Sequence, residues 1–334
     1  MNNEKRCALI CGISGQDGAY LASFLLSKGY AVYGTSRDAQ MTPFHNLVRL
    51  GIRDRIRLES VALNDFRSVL QVLMKVQPDE VYNLAGQSSV GLSFYQPVET
   101  LESISVGTLN LLEAIRFSAR PIKFYNAGSG ECFGDTDEGP ADETTPFRPR
   151  SPYAVAKAAA FWEVANYREA YGLYACSGIL FNHESPLRPE RFVTKKIVAA
   201  ACRIAGGSNE KLRLGNIAIQ RDWGWAPEYV EAMWLMLQQK AADDFVIATG
   251  ESYSLEEFVE KAFSCFGLDW RTHVLIDPEL MRPADITIGQ GNPAKANAGL
   301  EWNAINKMPD VVRLMVKAQL EDSGEGITKS FPSK

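Results

Sequence analysis

Four side chains in the middle of the chain have the types and spacing for redox chemistry on an alcohol. In "SPYAVAK", Tyr153 and Lys157 stand four residues apart. On a helix that spacing puts both on one face. An ammonium near a phenol lowers the phenol's pKa and makes Tyr153 a usable base near neutral pH. Lys157 can also reach a ribose hydroxyl. Upstream, "NAGSGECFG" carries Ser129 and, two residues later, Glu131. Ser129 can hydrogen-bond a substrate hydroxyl as it becomes a carbonyl. Glu131 offers a second acid/base group, separate from the phenol, which simple oxidation of an alcohol does not need. The same residues also admit non-catalytic readings. Tyr153 and Lys157 could be a surface helical pair, and Glu131 a strand-end carboxylate capping a backbone or pairing an arginine.

Such chemistry needs a hydride carrier, and the N-terminus has a place for one. "CGISGQDGAY" places Gly12, Gly15 and Gly18 after the apolar run "CALICGI" and before the helically spaced "GAYLASFLLSKGY". Small residues there allow a tight turn and let a pyrophosphate approach a helix N-terminus closely. Gln16 and Asp17 lie inside the same loop and count with it as cofactor contacts. The second strand, "AVYGTSR", ends on Ser36 and Arg37, where NAD-binding folds usually offer an acidic residue to the ribose. A guanidinium pairs with a 2′-phosphate that a carboxylate would repel. Arg37 therefore favours NADP over NAD, with Asp38 beside it as the counterweight.

Elements that alternate along the chain must position these residues. "RIRLESVA", "EVYNLAG", "IKFYNAGS" and "YACSGILFN" read as strands. "FRSVLQVLMKV", "VGTLNLLEAIRFS" and "SPYAVAKAAAFWEVANYREAYG" read as helices between them. This alternation predicts an α/β fold, a Rossmann-type doubly wound parallel sheet. After Phe181 the pattern loosens into loops rich in Arg, Pro and Gly, which predicts a smaller, mostly C-terminal substrate-binding lobe. The expected division is a cofactor-binding domain over 1–181, which regains segments from 215–250, a substrate lobe over 182–325 and a flexible tail over 326–334. The aromatic helix "EAMWLMLQQ" is read as core, because its bulky residues cannot all face one ligand.

Composition narrows the classes. A chain of 334 residues suits one large α/β domain with a smaller lobe. A net charge of -5 speaks against a broad basic field for nucleic acid, while leaving room for a local phosphate pocket. The six cysteines, at 7, 11, 132, 176, 202 and 265, form no CxxC pair and have no histidine-rich company. That pattern predicts no metal site and a reducing cytoplasm. No stretch is long and apolar enough for a signal region or a membrane span.

The glycine loop, Ser129 and the Tyr153/Lys157 pair together resemble the extended short-chain dehydrogenase/reductase family. Longer stretches are more specific. "NLAGQSSVGLSF", "RPRSPYAVAK", "NYREAYG", "GILFNHESPLR", "RDWGWAPEYVEAMWLMLQQ" and "IATGESYSLEEFVEKAF" are similar to the GDP-mannose 4,6-dehydratases, and the similarity covers nearly the whole chain. The resemblance implies a sugar-nucleotide dehydratase with tightly bound NADP and a GDP-sugar substrate. GDP-mannose would become GDP-4-keto-6-deoxymannose by oxidation at C4, loss of water across C5 and C6, and reduction at C6. Tyr153 would accept the C4 hydroxyl proton. Glu131 would take the C5 proton and protonate the departing C6 hydroxyl. The resemblance further implies cofactor contacts at Leu63, Leu84, Ala85, Gly86 and Gln87, and at His183 and Arg188 in "NHESPLR". It implies substrate contacts at Ser88, Asn182, Val193 and Asn216. Lys196, Arg221 and Arg282 would hold the diphosphate, for which arginine's planar fork is suited. A homodimer or homotetramer in the cytoplasm is the implied assembly.

The chain also departs from those relatives. Ser129 stands where they generally carry threonine, Gly130 where they carry serine, and Ala62 where an aspartate is expected near the adenine. The loop after Arg37 lacks their paired arginines. These differences leave the sugar open among GDP-mannose, a GDP-manno-heptose and another GDP-sugar. A nucleotide-sugar 4-epimerase or C4 oxidoreductase is the reading that makes no use of Glu131. A non-catalytic NADP-binding scaffold would need none of Ser129, Tyr153 and Lys157.

Overall fold

The computed structural model describes residues 5–322, so the expected tail over 326–334 lies outside the described residues. The first half of the chain alternates as its pattern predicts. β1 (Cys7–Cys11), α1 (Gln16–Ser27) and β2 (Ala31–Ser36) are followed by α2 (His45–Arg49), β3 (Arg57–Ser60), α3 (Phe66–Val76) and β4 (Glu80–Asn83). Two short helices, α4 (Val90–Ser93) and α5 (Pro97–Leu101), lead through a π-helical turn at Glu102–Val106 into α6 (Gly107–Ser118). β5 (Lys123–Ala127), α7 (Pro152–Tyr171) and β6 (Ala175–Leu180) complete this half.

The expected strand "YACSGILFN" divides in two. β6 stays in the main sheet, while β7 (Asn182–Glu184) leaves it to pair with a strand of the smaller lobe. α8 (Val193–Ala205), β8 (Leu212–Leu214), β9 (Gln220–Trp225) and α9 (Ala226–Gln238) come next, then β10 (Phe245–Ile247), β11 (Ser252–Ser254) and α10 (Leu255–Ser264). β12 (Val274–Ile276), β13 (Ile288–Gly289), α11 (Ala294–Gly299) and α12 (Met308–Asp322) end the described chain.

The main sheet has seven strands in the order β10-β6-β5-β4-β1-β2-β3, and every pairing in it is parallel. Helices cover both faces of a parallel sheet, so its central strands are buried on both faces. β4 and β6 are buried at every position. Strand order reverses between β1 and β4, and ligands of such sheets bind in the crevice at the carboxyl ends of the strands at this point. Gly12 follows β1, Leu84 follows β4, and Gly128 and Ser129 follow β5.

Part of the second half returns to this sheet. α9 packs on α1, where the Phe24 and Trp234 rings meet edge to face at 5.7 Å. Tyr229, Met233 and Met236 of α9 lie in the same core as Ile10 and Leu21, which makes "EAMWLMLQQ" a core helix. β10 then adds the edge strand beside β6. The smaller lobe has its own core, in which α8, α10 and α12 bury Ile197, Phe258, Phe263, Val312 and Met315 against Trp223 of β9.

Candidate active site

The loop after β1 is shaped by backbone crowding. Gly12 has a φ of +83°, and a Cβ there would lie 2.8 Å from the Leu84 carbonyl oxygen. A Cβ on Gly18 would lie 2.5 Å from the Gly12 oxygen. The loop therefore sits close under the end of β4, and α1 starts at Gly15 with no side-chain cap on its first N–H groups. Uncapped N–H groups at a helix start suit a pyrophosphate, so these residues fit a dinucleotide.

Four residues expected at the cofactor, Gln16, Asp17, His183 and Arg188, also hold the scaffold. His183 places Nε2 2.9 Å from Asp17 and its other ring nitrogen 2.7 Å from the Phe181 carbonyl. Its ring stacks on Tyr229 at 4.4 Å between centroids. Burial works against charge on both partners, but each favours the ionised form of the other. Asp17 is held at about 2 and His183 is raised. Gln16 donates to the His183 carbonyl and accepts from the Ser185 hydroxyl. Arg188 pairs with the buried Glu184 at 3.0 Å and packs its guanidinium on Phe192.

The candidate catalytic groups converge where β5 meets α7. Ser151 caps α7 and accepts from the Ala154 N–H, and Pro152 occupies the first turn. That start aims Tyr153 and Lys157 at the end of β5. Lys157 donates to the Ala127 carbonyl at 2.7 Å, and its ammonium lies 5.8 Å from the Tyr153 ring centroid. Ser129 caps the 3₁₀ turn that carries Glu131, accepting from the Glu131 N–H at 3.3 Å.

The electrostatics differ from the sequence expectation for the phenol. Burial raises Tyr153, and a hydrogen bond with Ser129 pulls the other way. Lys157 is itself lowered to about 8 by burial. Its ammonium donates to Ala127 and stands 5.8 Å from the ring centroid, so in the free cleft desolvation outweighs its pull on the phenol.

Glu131 is buried, with 15% of its side chain exposed, and Arg221 Nε lies 3.7 Å from its Oε1. Burial raises the carboxyl, while Arg221 and Arg282 lower it. Arg221 also donates to the Ile286 carbonyl at 2.8 Å and to Asp285 at 3.1 Å. Arg282 reaches the same Asp285 oxygen at 3.2 Å. Lys196 donates to the Arg213 carbonyl at 2.7 Å, and Asn216 accepts from the Ala218 N–H.

A cleft of 420 Å³ brings most of these groups together, the size of a small-molecule site. Ser129, Glu131, Tyr153 and Lys157 line it with Asp17, Leu84, His183 and Arg188. Ser88, Asn182, Val193, Lys196, Asn216, Arg221 and Arg282 line its other walls. Gly12, Gly15, Gln16 and Gly18 lie beside it in the loop before and at the start of α1. Ala85, Gly86 and Gln87 follow β4 outside the cleft, with Gln87 donating to the Ser89 carbonyl and to Thr100. The Leu63 carbonyl accepts from Asn110. Arg37 stands apart at the end of β2, 88% exposed and 3.7 Å from Glu99.

Some lining residues went unread in the sequence. Asp285 ties Arg221 to Arg282. Its one sequence signal is its place three residues after Arg282 in "MRPAD". Phe181 lines the cleft where a Cβ on Gly130 would meet its ring at 3.0 Å. Nothing local in the sequence shows that contact, because the two residues belong to different strand ends.

Comparison with known proteins adds family information to this geometry. The profile of the GDP-mannose 4,6 dehydratase family matches residues 9–315. GDP-mannose 4,6 dehydratase 1 of Arabidopsis thaliana is 48% identical over 327 residues, covering 95% of this chain and 90% of that protein. Among solved structures, UDP-glucose 4-epimerase of Thermus thermophilus in complex with NAD has a TM-score of 0.82 at 27% identity, covering 94% of this chain and 98% of that one. RMD from Pseudomonas aeruginosa complexed with NADPH has a TM-score of 0.78 at 23% identity, covering 95% and 100%. Its likeness is one of fold.

Proposed function

The chain belongs to the GDP-mannose 4,6-dehydratase family, and from that premise we propose how its own residues turn GDP-mannose into GDP-4-keto-6-deoxymannose. The observation that carries the reading is the convergence of Ser129, Glu131, Tyr153 and Lys157 in one cleft with Arg221 and Arg282. A nicotinamide dinucleotide held by the Gly12, Gly15 and Gly18 loop beside Tyr153 and Lys157 would supply hydride acceptance and donation. Tyr153 accepts the C4 hydroxyl proton, and Ser129 hydrogen-bonds the oxygen as it becomes a carbonyl. Lys157 holds the end of β5 through Ala127 and offers its charge to the ionised phenol. The new ketone acidifies the C5 hydrogen. Glu131 takes that proton and delivers it to the departing C6 hydroxyl, so water leaves and the carboxylate is restored. When C6 is reduced C5 regains a proton, which balances the one Tyr153 took from the C4 hydroxyl. Lys196, Arg221 and Arg282 hold the diphosphate.

The cofactor in this reading is NADP. Arg37 projects from the end of β2, free to meet a 2′-phosphate. Asp38, the counterweight in the sequence, is folded into its own turn and accepts the Gln40 and Met41 N–H groups. The assembly in this reading is at least a homodimer. Tyr95, Val98, Phe117, Trp162 and Tyr171 are exposed apolar residues on or beside α5, α6 and α7, and such a patch favours a partner surface. Among the described residues no helix is long and apolar enough to cross a membrane. The six cysteines form no CxxC pair, and a reducing cytoplasm is the compartment we assign.

The test is incubation with GDP-mannose and catalytic NADP, followed by mass spectrometry of the sugar nucleotide. Loss of one water with no net cofactor reduction is the expected result. An unchanged mass with inverted stereochemistry would mean epimerisation and would overturn the reading.

A further inference from the structure

Glu131 shares its buried corner with charged groups from two distant parts of the chain. Arg221 of β9 lies 3.7 Å from it and 3.1 Å from Asp285, and Arg282 lies 3.2 Å from the same Asp285. Two guanidiniums thus face two carboxylates, a set with no net charge. Arg221 is 6% exposed, so water screens its pull on Glu131 weakly, while Arg282, 33% exposed, is screened more. Of the other ionisable neighbours, Asp135 also raises Glu131. Asp135 accepts the Thr287 and Ile288 N–H groups. The Cys132 thiol is turned to the Ala154 carbonyl. Tyr153 approaches from α7, and burial favours its neutral form in the free cleft.

Arg221 and Arg282 are also the arginines assigned above to the diphosphate. Even with Lys196, these cations cannot neutralise two carboxylates and a diphosphate together. We propose that the diphosphate of the substrate sets the proton affinity of Glu131. On binding it draws the charge of Arg221 and Arg282 to itself and leaves Glu131 a stronger base. The group that serves C5 and C6 is then armed only when the nucleotide is seated. This inference rests on the roles given above to Glu131 and the two arginines.

The direction follows from elementary electrostatics. In the free cleft burial already raises Glu131, and the two arginines are what hold it down. Removing their pull and adding an anion both favour the protonated form. A hydrogen beside a ketone is a weak acid, and a base whose pKa lies near the working pH removes it more readily than an ordinary carboxylate does. The step stays balanced. The C5–H and C6–O bonds break, a C5–C6 double bond forms, and the C5 proton leaves in the water.

GDP, which has the diphosphate and no sugar, is the probe. Calorimetric titration of GDP into the holoenzyme, in buffers of different ionisation enthalpy, counts the protons bound. Wild type should take up more protons than Glu131→Gln does, by at most about one per site, with a maximum at a pH between the free and bound values of Glu131. Ionisation of GDP itself cancels in that difference. Asp285→Asn frees arginine charge for Glu131 and should reduce the uptake. Equal proton linkage in wild type and Glu131→Gln, or unchanged uptake in Asp285→Asn, overturns the coupling. Turnover separates this from the role of Glu131 itself. If Glu131→Gln dehydrates like wild type, the assigned role fails. If it is inactive and the linkage is absent, the coupling alone fails.

Discussion

Asp17 and His183 are 166 residues apart in the chain and 2.9 Å apart in the fold. The contact joins the N-terminal turn of α1 to β7, the strand that leaves the main sheet for the smaller lobe. It fixes the floor of the cleft from both sides, because Gln16 and Ser185 bond alongside it.

This pair gives stability a defined pH window. Asp17 is depressed to about 2 in the fold, so its contribution is present above the unfolded carboxylate value and is lost as pH falls through the folded one. His183 is raised, so its contribution is present below the unfolded imidazole value and is lost as pH rises through the folded one. The pair stabilises most in the mildly acidic range between them. Asp17→Asn should cost on the order of 2 kcal/mol there and much less near pH ~2. Urea unfolding at both pH values checks this. An equal cost at both would assign the pair no electrostatic role.

Removing the carboxylate at Glu131 separates oxidation from elimination. Glu131→Gln should lower water loss by roughly 10²–10⁴-fold, while Ser129, Tyr153 and Lys157 still serve C4. Mass spectrometry of the product and hydrogen-isotope exchange at C4 read the two steps independently. Normal dehydration by this variant would remove Glu131 from the mechanism.

Arg37 tests the choice of cofactor. It is almost fully exposed, and its ion pair with Glu99 is a surface one, worth little to stability. Arg37→Ser should leave the fold and the use of NAD largely unchanged and weaken NADP binding by roughly tenfold or more. Fluorescence titration with both cofactors measures the ratio. An equal effect on the two would mean that Arg37 does not read the 2′-phosphate.

Gly130 tests the shape of the catalytic loop. A Cβ there would press on the Phe181 ring at 3.0 Å, and Phe181 stacks on the buried Phe133 at 6.1 Å. Gly130→Ser should cost about 1–3 kcal/mol by overpacking and displace Ser129 and Glu131, lowering kcat more than it raises KM. Gly130→Ser in combination with Phe181→Leu, which makes room, should recover part of the loss. Failure of the second substitution to help would place the defect elsewhere.

The sequence by itself determined the parts that local rules govern. The glycine loop was legible because Gly12 needs a left-handed backbone and Gly18 a close approach. The α/β alternation was legible because buried parallel strands are apolar throughout and helices repeat every 3.6 residues. Tyr153 and Lys157 were legible as a pair because four residues make about one turn. Tertiary structure decided the rest. It brought Arg221, Asp285 and Arg282 to Glu131, turned "YACSGILFN" into two strands of different sheets, and returned β10 to the edge of the first sheet. It also decided that burial outweighs Lys157 in the environment of Tyr153. Backbone sterics and periodicity act over a few residues and leave a mark in the sequence. Charge pairing and desolvation depend on which distant segments the fold closes around a group, and no local pattern records that.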